Sequence, residues 1–101
     1  MSSRTEYTLP IQINERRLKR VIIDQHYLLD HAESVNDVLI LSLVKSIDGG
    51  TFRIDSEDYP FQYLVADPVF NMNQPYRLIM IVCLHDDYLE VINAFRVNKK
   101  D

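Results

Sequence analysis

Residues 76–84 constrain this chain more than any other stretch. They are apolar at nearly every position, and a strand tolerates that only when both of its faces are covered. The stretch is therefore expected at the centre of a sheet. His85-Asp86-Asp87 supplies turn residues, and residues 88–97 return with aromatic and β-branched side chains, interrupted by Glu90, Asn93 and Arg96. A two-residue turn at Asp86-Asp87 would set Arg77 opposite Arg96 on one face. A three-residue turn would set Arg96 opposite Tyr76 instead.

Upstream, residues 7–13 alternate apolar and polar, the mark of a half-buried strand that Pro10 confines to a sheet edge. Asn14-Glu15-Arg16-Arg17 can turn the chain, and residues 18–23 return. Asp24 is placed to cap a short helix over 25–32, and Ser34 with Asp37 three residues later resembles a capping box for a longer one. In that longer helix Val35, Val38, Leu39, Ile40, Leu41, Leu43, Val44 and Ile47 spread beyond one stripe, so it should lie buried across the sheet until Asp48-Gly49-Gly50 stops it. Residues 51–54 and 61–66 read as strands separated by an acidic turn, Asp55-Ser56-Glu57-Asp58. Residues 67–75, with Pro68, Pro75 and several amides, read as a long loop. The expected fold is α+β, a single domain over 1–101 with elements in the order β-β-α-α-β-β-β-β. It divides into an N-terminal hairpin (1–23), a helical segment (24–48) and antiparallel strands (51–97). Both helices pack on one face of a mainly antiparallel sheet of about five to six strands.

A chain of 101 residues, 47% apolar and 26% charged, supports one core. Its single cysteine, Cys83, excludes an internal disulfide and a thiolate-rich metal centre, and suits a reducing cytoplasm. No stretch reads as a signal segment or reaches membrane-spanning length, so a cytoplasmic protein without a membrane partner is expected. Gly49 and Gly50 are the only glycines, which excludes a glycine-rich phosphate cradle. The net charge of −4 is unevenly spread. Residues 1–20 carry Arg4, Arg16, Arg17, Lys19 and Arg20 against Glu6 and Glu15, whereas residues 21–73 carry Lys45 and Arg53 against nine acids. An acidic chain lacks the basic excess that phosphate binding favours, except locally at its N-terminal end.

His26 and His31 are five residues apart, about 140° around a helix, and make a poor ligand pair. With no third ligand in view, neither a metal nor any other cofactor is expected. The polar residues able to act together are Arg53, Tyr63, Arg77, Asn93 and Arg96, with His26 or His31 from the helical side. The helical segment bearing His31-Ala32, followed by strands ending in Asn93-Ala94-Phe95-Arg96, resembles the small RelE-like and BrnT-like toxins of toxin–antitoxin systems. That resemblance implies metal-independent RNA cleavage, with RNA as substrate. Carried over by position, His31 would serve as base or acid and Arg96 as phosphate clamp. Arg77 and Arg53 would assist, and Tyr63 and Asn93 would hold the RNA.

A second expectation comes from the acidic middle. Asp55, Glu57, Asp58 and Asp67 suit a basic protein partner, as in an antitoxin, immunity protein or accessory subunit with no catalysis of its own. The edge strand over 7–13 also offers a second copy of the chain a place to pair.

Overall fold

The computed structural model describes residues 3–33 and 35–97, with Asp30 described by its backbone alone. In chain order the strands are β1 (Arg4–Tyr7), β2 (Ile11–Ile13), β3 (Arg16–Leu18), β4 (Arg20–Asp24), β5 (Ile54–Asp58), β6 (Phe61–Asn71), β7 (Gln74–Cys83) and β8 (Tyr88–Arg96). Six of them form one sheet in the order β1-β4-β8-β7-β6-β5, antiparallel except for the β4–β8 pair; β2 and β3 pair separately. The apolar 76–84 stretch does lie centrally, with β8 on one side of β7 and β6 on the other.

One face of the sheet carries the core. Leu64, Met80, Val91 and Ile23 lie opposite one another across four strands, as do Val82, Leu89 and Val21 in the next row. Over them pack Ile40, Leu43, Val44 and Ile47 from helix α2 (Asp37–Ser46) and its end, with Ile11, Ile13 and Leu18 from the β2–β3 hairpin. Asn36 caps the helix by accepting from the Leu39 amide at 2.8 Å. Ser34, expected in that role, lies outside the described residues. Past the helix, Gly49 takes φ +84°, a left-handed conformation that favours glycine, and the chain turns back to the sheet.

The expected pair of helices is corrected to one. Residues 25–32 form only a 3-10 turn, Gln25–Tyr27, running into a single α-helical turn, α1 (Leu28–His31). Tyr27 alone of its apolar residues is buried, while Leu28 and Leu29 face solvent. A segment anchored at one point has too little packing to extend a helix whose isolated nucleus is unfavourable.

Three further expectations are corrected. The acidic 55–58 segment is strand β5 itself, exposed at every position, because an edge strand tolerates charges that a core refuses. The long loop over 67–75 is absent. Strand β6 runs through to Asn71 with a bulge between Ala66 and Val69 that accommodates Pro68, and Met72-Asn73 forms a two-residue turn. The N-terminal hairpin divides at Pro10. Its proximal half, β1 with β4, joins the sheet, and its distal half folds onto the core side around an Asn14-Glu15 turn. That half is held by backbone bonds from Gly49 to Gln12 at 2.7 Å and from Asn14 to Gly50 at 2.9 Å. Arg16 adds a bond of 2.6 Å to the Leu84 carbonyl.

Met72 and Asn73 both take positive φ, 50° and 68°, as a type I′ turn requires, yet Met72 is a poor residue for it and is 89% exposed. Met72→Asn combined with Asn73→Gly is therefore expected to stabilise the protein by about 1 kcal/mol. The measurement is a higher denaturation midpoint at unchanged m-value.

Candidate functional site

The second face of the sheet is built by the residues that alternate with the core. Phe61, Cys83 and Tyr88 lie in one row across β6, β7 and β8, Tyr63, Ile81 and Glu90 in the next, and Val65, Ile79 and Asn93 in a third. Arg77 stands opposite Phe95 in a fourth. An antiparallel sheet with one solvated face normally turns polar side chains outward. Here Phe61, Tyr63, Val65, Ile79, Ile81 and Phe95 are half-buried, Ile22, Cys83 and Glu90 on the same face are buried, and none of these belongs to the core cluster.

Charged residues frame this apolar field, and they pair within the chain. Glu90, only 9% exposed, receives two bonds from the Arg4 guanidinium, 2.8 Å from Nη2 and 3.1 Å from Nε. The fork geometry is the strong form of this contact, and Glu90 holds Arg4 above its ordinary pKa. Arg20 donates to Asp86 at 2.7 Å, approaches Glu6 at 3.3 Å and lies over the Tyr88 ring, 5.1 Å from its centroid. The bond from Arg20 keeps Asp86 below the usual carboxylate range. Arg77 meets Asp67 at 3.4 Å.

The loop of residues 84–87 joins β7 to β8, and a bulge between Ile79 and Met80 on the β7 side, with Ile92 as the extra residue of β8, then shifts the register by one. Arg96 therefore stands opposite Tyr76, on the core side of the sheet, and Arg77 opposite Phe95 on the other. Past the end of β4 the 3-10 turn packs against β8, and His31 at the end of α1 stacks on the Phe95 ring with centroids 5.0 Å apart and planes at 28°. Asn93 accepts from the amide of its neighbour Ala94 at 3.0 Å. The structure thus gathers His31, Arg77, Tyr63 and Asn93 on or beside the uncovered face.

Arg96 and Arg53 are not part of that group. Arg53 precedes the β5 edge, three strands or about 14 Å from β8, and its side chain is 89% exposed, 3.7 Å from Asp55. The acids expected to bind a partner divide in the same way. Asp55, Glu57 and Asp58 line the β5 edge, with Glu57 accepting from Gln62 at 3.0 Å, while Asp67 already neutralises Arg77.

Sequence reasoning missed Val65, Ile79 and Ile81 as surface residues. Their period-two alternation was visible, but an apolar strand reads as covered on both sides until the cover is counted. Asp37, read only as the far member of a capping box, stands at the start of α2 and accepts from the Tyr7 and Tyr27 hydroxyls at 2.6 Å each and from the Gln25 amide at 3.2 Å. Burial pushes the Asp37 carboxyl up, and the bonds from Tyr27, Tyr7 and Gln25 together hold it below the usual range. All its donors come from this chain, which makes it a clasp between β1, the 3-10 turn and α2.

Among the described residues no group of three His, Cys, Asp or Glu side chains is placed to hold a metal ion, and no helix is long and apolar enough to cross a membrane. Comparison with protein-family models, with curated proteins and with solved structures returned no match.

Proposed function

We propose that this protein is a non-enzymatic binding protein, an antitoxin-, immunity- or accessory-type subunit, and that it works through the uncovered face of its sheet. The observation that carries this reading is the row-by-row apolar surface of Phe61, Tyr63, Val65, Ile79, Ile81 and Phe95 outside the core cluster. Exposed apolar patches rimmed by polar groups mark interaction sites. Asp55 and Asp58 at the β5 edge favour a partner whose own apolar patch is edged by cations. A reducing cytoplasm suits the single thiol, Cys83.

The alternative is the metal-free ribonuclease, and the stacking of His31 on Phe95 beside Arg77 favours it locally. It lacks a convergent phosphate clamp, since Arg96 lies on the opposite side of the sheet and Arg53 at its far edge. Labelled mixed-sequence RNA incubated with folded protein in EDTA is expected to stay intact. Cleavage that His31→Ala abolishes would overturn the binding reading in favour of the ribonuclease. In parallel, dilute folded protein is expected to enhance the fluorescence of the hydrophobic dye ANS, with native near-UV dichroism retained and the enhancement reduced in Ile81→Lys. Absence of any dye response would remove the face as a binding surface.

A further inference from the structure

We infer that β1 is a releasable strap that gates Glu90. Shut, it supplies Arg4 as the countercharge of Glu90; open, it leaves that carboxylate at the sheet face for a guanidinium side chain of a partner. The inference rests on the reading of that face as a binding surface and adds how the surface is switched. Three observations support it.

The first is how little of β1 is buried. It is an edge strand paired with β4 alone, its four residues are exposed or half-buried, and none belongs to the core cluster, although Tyr7 packs against it. Burial does little to hold such a segment, and segments with few buried apolar contacts open before the rest of a domain. Thr8 and Pro10, exposed and outside any strand, form the hinge, and Leu9 between them packs on the core and sets the pivot.

The second is the kind of contact that does hold it. Main-chain bonds tie it to β4, among them one of 2.8 Å from the Gln25 amide to the Ser3 carbonyl. Bonded and non-bonded pairs alternate in an antiparallel ladder, so Thr5 with Ile23 and Tyr7 with Val21 are bonded pairs too. The amides of Val21, Ile23 and Gln25 therefore face β1, whereas that of Ile22 faces β8. The remaining contacts are polar latches on both faces of the sheet: Tyr7 to Asp37 on the core side, Arg4 to Glu90 and Glu6 to Arg20 on the other.

The third is what remains when the strap lifts. Asp37 keeps Tyr27 and Gln25, and Arg20 keeps Asp86 and the Tyr88 ring. Glu90 alone is left without a countercharge, since among the described residues its one ion pair is with Arg4. Its side chain, 12% exposed while Arg4 reaches across β4 to it, lies in one row with Ile81 and Ile22. A carboxylate set among apolar side chains is costly to leave unpaired, and the two-bond fork that Arg4 makes on it shows that a guanidinium fits.

The test is amide hydrogen exchange, followed residue by residue by NMR on the full chain and on Arg4→Gln. In the wild type the Val21, Ile23 and Gln25 amides are expected to show protection factors at least about 100-fold below those of Ile22 and Val82. Arg4→Gln is expected to lower both sets by the same factor, about 10-fold, because the ion pair is absent from the open and from the unfolded chain alike. Equal protection of the two sets in the wild type overturns the inference, because β1 then leaves only with the whole fold. Strap amides that Arg4→Gln leaves unchanged also overturn it, because the opening they report keeps Arg4 on Glu90. Argininamide, the guanidinium probe, is expected to shift the Ile81 and Glu90 amide resonances of Arg4→Gln at least about 3-fold more than those of the wild type. An equal response in both overturns the cation site. A strap that stays shut while ANS binds the face removes the gate and leaves the binding reading standing, whereas loss of the dye response removes that reading and leaves the exchange result intact.

Discussion

Asp37→Ala is expected to lower the stability of this protein by about 3 kcal/mol. The carboxylate sits in the first turn of α2, where the helix dipole favours a negative charge, and it is the acceptor for Tyr7, Tyr27 and Gln25. Removing it strands the Tyr27 hydroxyl, whose residue is buried in the core, and a buried donor without a partner costs about 1–3 kcal/mol. Tyr27→Phe removes that donor together with its need. Added to Asp37→Ala it should therefore cost less than the two single changes summed, and the coupling measured by the double-mutant cycle reports the contact itself.

The same clasp sets a pH window. Asp37 is held below the usual carboxylate range in the folded state, so its contribution is complete above the unfolded value, near 4, and is lost as pH falls through the folded one. Burial and the bond to Asp37 push Tyr27 well above its ordinary 10.0, and Tyr7 is raised as well by its bond to Asp37. Their contribution is complete below about pH 10 and is lost as pH rises through the folded values. The stability gap between wild type and Asp37→Ala should be greatest between about pH 5 and about pH 9, and narrow towards acid. Denaturant titrations near pH 7 and near pH 3 check this, and a gap of constant size across that range would mean that the carboxylate does not hold the clasp.

What the sequence made legible, and what it did not, follows from which forces are local. The central place of β7, the stop at Gly49 and a turn beginning at Asn14 are set by neighbouring residues and could be read directly, although Arg16 and Arg17, read as part of that turn, belong to β3. The helix expected over 25–32 failed because an Asp24 cap and a few apolar residues describe a start, whereas persistence needs a packed face that Leu28 and Leu29 do not provide. The loop expected at 67–75 failed because proline and asparagine fit a bulge and a two-residue turn as well as they fit an irregular segment. In the site, Glu90 stood out as a charge inside an apolar strand, but its partner Arg4 lies 86 positions away, and periodicity assigns a residue to a face without naming what it meets there. Arg96 and Arg77 ended on different sides because a bulge at Ile92 moved the register, a single-residue event that no alternation pattern announces.

Met80→Lys and Ile81→Lys are expected to give opposite results although the residues are adjacent. Met80 has no exposed surface and lies between Leu64 and Val91 beneath α2, so a lysine there buries a charge with no partner. The expected loss exceeds about 4 kcal/mol, most of the stability of a domain this size, and the variant should be unfolded or insoluble. Met80→Ala leaves a cavity instead, at a cost of about 3 kcal/mol, and should fold with a Tm about 15 °C lower. Ile81 lies between Tyr63 and Glu90 on the other face, where a lysine can run its stem along the apolar surface and set its amine beside the Glu90 carboxylate. Its expected cost is within about 1 kcal/mol, because the core on the helix side is complete without it. Thermal unfolding of the three variants separates the two faces of one strand. If Ile81→Lys unfolded as Met80→Lys does, the second face would be an internal one, and the binding surface would fall with it.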